Sequence, residues 1–177
     1  MKFSYKIAKI EDLPLIEELI DSSIKGLLAP LLTKEELEAS FDSMGLDDQL
    51  VKDGTYFLIH KDSHLVGCGG WSKRKTLFGS NHTPNRDNDF LDPKEDAGKI
   101  RAMYTHPEWS RKGVGSFIIK LAESKLKKGG FLKCELMATQ VGIPLYLNEG
   151  YSKIKEIVYT STDGNSVRML KMEKLLT

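Results

Sequence analysis

The chain has 177 residues, 40% of them hydrophobic and 29% charged, which is the balance of a globular domain that folds in water. Its 26 basic and 25 acidic side chains leave a formal net charge of +1, so no global field favours nucleic acid or a membrane surface. No apolar run approaches the roughly 20 residues of a membrane span, aromatic residues do not alternate with basic ones as a base-stacking platform would need, and the first six residues lack the apolar centre of a secretory signal.

In chain order, Phe3, Tyr5 and Ile7 alternate with polar residues and predict a first strand. Asp12 reads as an N-cap and Pro14 fits the first turn of a helix with the stripe Leu15, Ile16, Leu19, Ile20 and Ile24, which Gly26 is expected to end. Thr33-Lys34-Glu35-Glu36 is a capping box, followed by Leu37, Phe41 and Met44 at helical spacing and by Gly45 as a stop. Residues 55–60 and 64–72 form a hairpin. Gly67, Gly69 and Gly70 weaken its second strand, so they mark a bulge or a close approach of another group. Residues 76–95 form a long polar loop, expected to be functional or mobile. A strand over 98–105, a helix over 114–126, a strand over 131–138, a short helix over 143–148 and a terminal hairpin over 151–173 complete the series. The order describes one α/β domain spanning 1–177: a mixed, mostly antiparallel sheet of six or seven strands with helices on both faces. Cys68 and Cys134 read as buried reduced thiols, which suits a cytoplasmic protein.

The informative stretch is strand, turn and helix around Ser110-Arg111-Lys112-Gly113-Val114-Gly115-Ser116. Two glycines at a helix start admit a ligand close to the backbone, and the free amides of the first turn carry the positive end of the helix dipole. Arg111 and Lys112 add charge beside this anion site. A G-x-G alone is more simply a turn before a surface helix. No G-x-G-x-x-G follows, and no G-K-[ST] of a nucleotide-binding P-loop.

In this setting the segment resembles the acetyl-CoA signature Q/R-x-x-G-x-G/A of the GNAT superfamily of N-acetyltransferases, with Ser110 where Gln or Arg is usual. Residues 100–107 look like the family's fourth strand and its exit. Tyr146-Leu147-Asn148-Glu149-Gly150-Tyr151 is similar to its Y-x-x-x-G-[FY] element, while Val141-Gly142 stands where the family often has Asn.

The resemblance implies acetyl-CoA as cosubstrate and no metal. Arg111, Lys112, Gly113, Val114, Gly115 and Ser116 would hold the diphosphate. The pantetheine arm would pair with backbone groups of Met103, Tyr104 and Thr105, in a splay between the fourth and fifth strands. A primary amine, on a small molecule or a peptide, would attack the thioester directly, with Tyr146 in the family's general-acid position. Glu135, Asp96 and His106 are candidates by position for the base. Arg101 either faces an acidic acceptor or forms an ion pair within the sheet. Asp87, Asp89, Asp92 and Asp96 hint at a cationic acceptor, though a solvated loop explains them equally. Homodimerisation stays open, as does a CoA-binding sensor or scaffold without turnover.

Overall fold

The computed structural model describes residues 2–176. Its strands are β1 (Ser4–Ile7), β2 (Tyr56–Lys61), β3 (His64–Ser72), β4 (Gly98–Thr105), β5 (Lys133–Ala138), β6 (Ser152–Thr160) and β7 (Ser166–Leu175). The helices are α1 (Leu13–Ser23), α2 (Lys34–Ser43), α3 (Asp48–Lys52), α4 (Val114–Lys128) and α5 (Ile143–Asn148). The strands form one seven-stranded sheet in the order β1-β2-β3-β4-β5-β7-β6. Every pairing is antiparallel except β4 with β5. No helix among the described residues is long and apolar enough to cross a membrane.

Strand alternation divides the core between the two faces. Phe57 and Ile59 of β2 join Ile118, Ala122 and Leu126 under α4, while Tyr56 and Leu58 join Ile16, Leu19 and Leu50 on the other side. Ile118 and Leu126 are fully buried, and truncating either to Ala would cost about 2–5 kcal/mol. The glycines of β3 explain how closely α4 lies on the sheet. A Cβ at Gly67 would stand 2.5 Å from Val114 Cγ1, and one at Gly69 would stand 2.8 Å from Ile118 Cγ2. Both expectations for this strand hold, since the β3–β4 register also shifts between Cys68 and Gly70.

That shift is a bulge in β4. Ala102 adopts φ +52°, and its carbonyl accepts a 2.7 Å hydrogen bond from the Tyr56 hydroxyl. Parallel pairing of β4 with β5 is confined to Gly98↔Cys134 and Lys99↔Glu135. Past Lys99 the strands part, which is the splay expected from the resemblance.

The structure departs from the sequence reading in several places. Gly26 does not end the first helix. The chain continues through a π-helical turn (Ile24–Leu28) and a 3₁₀ turn (Ala29–Leu31), with Gly26 packed so tightly that a Cβ would meet Pro107 Cγ at 2.5 Å. The Asp12 carboxylate does not cap α1; it folds back onto the Lys9 amide and Lys6 Nζ. Leu15 and Phe41, expected in the core, are exposed. The short helix α3 was not foreseen, and Asp47 starts it by accepting the Gln49 amide at 3.2 Å. The Thr33 capping box forms as read, with reciprocal bonds of 3.2 and 3.0 Å to Glu36.

The segment 76–95 is tied down rather than free. Arg74 forks onto Asp53 at 2.6 and 2.8 Å and donates to the Asn88 carbonyl at 3.0 Å. Thr83 Oγ1 donates to the Asp42 carbonyl, the Asn81 amide donates to the Leu46 carbonyl, and Phe78 packs edge-on against Tyr159. Thr76, Ser80 and Thr83 are buried polar residues with these partners, so the loop is packed structure.

Candidate functional site

Where β4 and β5 part, a groove of about 380 Å³ opens over the N-terminus of α4. Met103, Tyr104, Thr105, Arg111, Gly113, Val114, Gly115, Ser116 and Tyr146 all line it. Lys112 does not; its Nζ sits 5.1 Å above the Trp109 ring centroid.

The turn into α4 is made by left-handed backbone at Arg111 (φ +61°) and Gly113 (φ +88°), a conformation that glycine adopts without penalty. Gly113 is the N-cap residue and offers no side-chain cap, and the first intrahelical bond runs from the Phe117 amide to its carbonyl. The amides of Val114, Gly115 and Ser116 are therefore left for an outside acceptor. Gly115 serves a different end from Gly113. A Cβ there would stand 2.5 Å from Leu145 Cδ2, so its lack of a side chain lets α5 close against α4.

That contact positions Tyr146. The residue is buried on α5, its ring lies edge-on to Tyr151 at 6.0 Å, and its hydroxyl donates only a weak 3.9 Å contact to Met103 Sδ. Burial pushes its pKa up to about 12, so the phenol stays protonated at neutral pH. Behind Tyr146 lies a second cavity, of about 100 Å³, between β4, the end of α2 and the Leu77–Gly79 segment. The two cavities share Met44, Met103, Tyr104, Thr139 and Tyr146. Tyr104 fixes the wall between them, because its hydroxyl accepts the Gly45 amide at 3.0 Å.

The residues expected to serve as a base lie elsewhere. Glu135 is buried between Lys99 and Lys171, the latter at 2.6 Å; burial raises its pKa, but the two lysines outweigh this and hold the carboxyl low. Asp96 Oδ2 accepts the Asp92 amide, and His106 Nδ1 accepts the Glu108 amide. Among the described residues, neither cavity is lined by a carboxylate or a histidine. Nor does either thiol line a cavity. Cys68 and Cys134 are buried and unlinked, with burial pushing them up to about 12 and about 11.

Other groove residues escaped the sequence reading. Ser23 is buried at the end of α1, and its Oγ accepts the Thr105 amide at 3.3 Å. The backbone donor expected to meet the pantetheine arm is thus already engaged by α1. Leu27 and Leu28 come from the π-helical turn, which has no signal in the sequence, and Asn148 comes from α5. Thr139 follows β5 directly, and its place opposite the β4 exit is the one clue that strand assignment alone provides.

Comparison with known proteins agrees with this fold. A spermidine N(1)-acetyltransferase from Thermoplasma acidophilum is 26% identical over 176 residues, covering 97% of this chain and 98% of that protein. A GCN5-related N-acetyltransferase from Rhodopseudomonas palustris superposes with a TM-score of 0.73 at 18% identity, covering 99% of this chain and 96% of the other. The PaiA N-acetyltransferase of T. acidophilum, solved with coenzyme A, superposes at 0.65 with 20% identity, covering 99% of each chain. The profile of the acetyltransferase (GNAT) family matches residues 22–151, from the end of α1 to the residue that follows α5 and its Gly150 turn, and the chain therefore belongs to this family of acetyltransferases.

Proposed function

We propose that the protein transfers an acetyl group from acetyl-CoA to a primary amine by direct attack, with Tyr146 as general acid. The observation that carries this reading is the meeting of the two cavities at one weakly bonded phenol. One cavity begins at free helix amides suited to a diphosphate, and the other suits an acceptor.

The α4 amides and Arg111 would bind the diphosphate, and the groove walls would guide the arm toward Met103. The amine lone pair attacks the thioester carbonyl carbon, the C–S bond breaks, and the departing thiolate takes the Tyr146 proton. The nitrogen, cationic after attack, gives up a proton to water, and water returns one to the Tyr146 phenolate, since no carboxylate or imidazole lines either cavity among the described residues. A phenol near 12 is a weak acid for a thiolate, but the same burial raises the thiolate as it forms.

Tyr146→Phe keeps the ring's packing and removes the proton. With a panel of primary amines and a coupled assay for free CoA, turnover should fall about 10²-fold, the low end for general acid catalysis, because thiolate is a good leaving group. The acetyl-CoA-dependent rise in melting temperature should persist. Full activity of the Phe variant, in an assay limited by chemistry, would remove Tyr146 from the mechanism. Acetyl-CoA binding without turnover of any amine would instead favour a sensor.

A further inference from the structure

We propose that the inner pocket reads a carboxylate on the acceptor, so that the favoured substrates are small amines that also carry a carboxylate, the chemistry of an amino acid, rather than polyamines. The inference rests on the acyl-transfer reading above and names the acceptor class for the same site.

Arg101 forms part of the pocket wall and is 6% exposed. Its Nη1 lies 2.7 Å from Asp47 Oδ2, and its Nη2 donates to the Gly79 carbonyl at 2.6 Å. Arg86 Nη1 approaches the same Asp47 oxygen at 2.9 Å. Neither approach to Oδ2 has hydrogen-bonding alignment, and Arg101 Nε, the guanidinium nitrogen nearest the β4 backbone, has no acceptor among the described residues. Two guanidinium groups thus share one carboxylate, with side-chain exposures of 4% for Arg101, 14% for Arg86 and 0% for Asp47. The cluster sums to +1, two cations less one anion, with Arg86 partly open to solvent.

A buried cation lacking its full counter-charge is unfavourable unless a partner arrives. Desolvation accordingly lowers Arg101's pKa, and Asp47 offsets this only in part against Arg86. A carboxylate lodged against the Arg101 wall supplies the missing charge. The cavity has space for such a group with a few carbon atoms beside the shared Tyr146.

A polyamine would place a second cation against this surplus. The acidic loop residues offer it no compensation. Asp87 Oδ1 accepts the Asp89 amide, Asp92 Oδ1 accepts the Lys94 amide, Asp96 Oδ2 accepts the Asp92 amide, and none of the four aspartates lines either cavity. The competing surface is an open cleft beside α1 where Glu17 and Glu18 are exposed.

The test compares pairs of amines that differ only by a carboxylate: alanine with ethylamine, phenylalanine with phenethylamine, and spermidine alongside. Rates are set against the concentration of neutral amine. Calorimetric titration of the protein–CoA complex gives a readout that needs no turnover. The carboxylated member should be favoured in kcat/KM by roughly 10- to 100-fold, the worth of hydrogen bonds to a charged group. The difference should lie mainly in KM. Arg101→Lys should abolish the preference while keeping the acetyl-CoA-dependent thermal shift, and the wild-type comparison stands by itself if that variant does not fold. Equal kcat/KM within each pair, or a preference for spermidine, overturns the carboxylate site and leaves acetyl transfer intact. Tight binding of the carboxylated amines without acetylation upholds the site and overturns transfer. Failure of every amine both to bind and to react, in protein that binds acetyl-CoA, overturns both.

Discussion

The groove over α4 and the pocket behind Tyr146 adjoin, yet they are built from different material. The groove's anion end consists of main chain: three unbonded amides, a left-handed glycine, and a glycine that lets α5 approach. The pocket's charge comes from side chains delivered by β4, the start of α3 and the loop at Arg86. Backbone sites tolerate most changes except at the positions that shape the turn. Side-chain clusters that share a buried charge fail when any one member is lost.

The largest effect should come from breaking the second kind. Asp47→Asn keeps the shape and removes the charge, leaving Arg101 and Arg86 without a buried counter-ion. A loss of about 3–5 kcal/mol is expected. That corresponds to a fall of roughly 10 °C in melting temperature for a chain of this length. A melting temperature within a degree or two of wild type would mean that the cluster is hydrated and not truly buried.

Breaking the groove should leave the fold standing and separate two roles. Gly113→Val forces a β-branched residue to φ +88°, so the acetyl-CoA-dependent thermal shift should largely vanish. Gly115→Ala pushes a Cβ onto the end of the Leu145 side chain, on the helix that carries Tyr146. It should lower kcat several-fold while keeping most of the shift. If both variants lose the shift alike, Gly115 contacts the cofactor and is not a packing position.

The pH profile sharpens the contrast at the reacting centre. With no carboxylate or imidazole lining the cavities among the described residues, the acceptor must reach the thioester as the neutral amine. Below the amine's own pKa, kcat/KM should rise about tenfold per pH unit and then level at that pKa. Activity lost through Tyr146 requires its deprotonation, which lies up at about 12 and outside the working range. An inflection between pH 5 and 7 that does not move with the acceptor would reveal an enzyme base.

The smallest effect concerns exchange. The Lys75 and Leu91 amides bond across the loop to Asp89 and Lys73, and the Asn81 amide bonds to Leu46, so all three should exchange slowly without ligand. The amides of Val114–Ser116 should exchange quickly and slow when acetyl-CoA binds. Rapid exchange at Lys75, Asn81 and Leu91 would mean that the loop is mobile and not packed structure.

What the sequence determined alone is what neighbouring residues decide. The first strand, the hairpin of β2 with β3, the Thr33 capping box and the glycine-bearing entry to α4 are short-range stereochemistry, and all were legible in single segments. The element order followed, and with it the sheet that splays after Lys99. Tertiary structure alone decided the fate of the isolated charges. Glu135 could be read as a base until β4 and β7 brought Lys99 and Lys171 to it, and the loop aspartates could be read as an acceptor site until they capped turns. Arg101 acquired its meaning from Asp47 and Arg86, which lie on other elements. A single sequence records which side chains carry charge. Which charges meet, and which are stranded from water, is settled only when packing brings distant segments together.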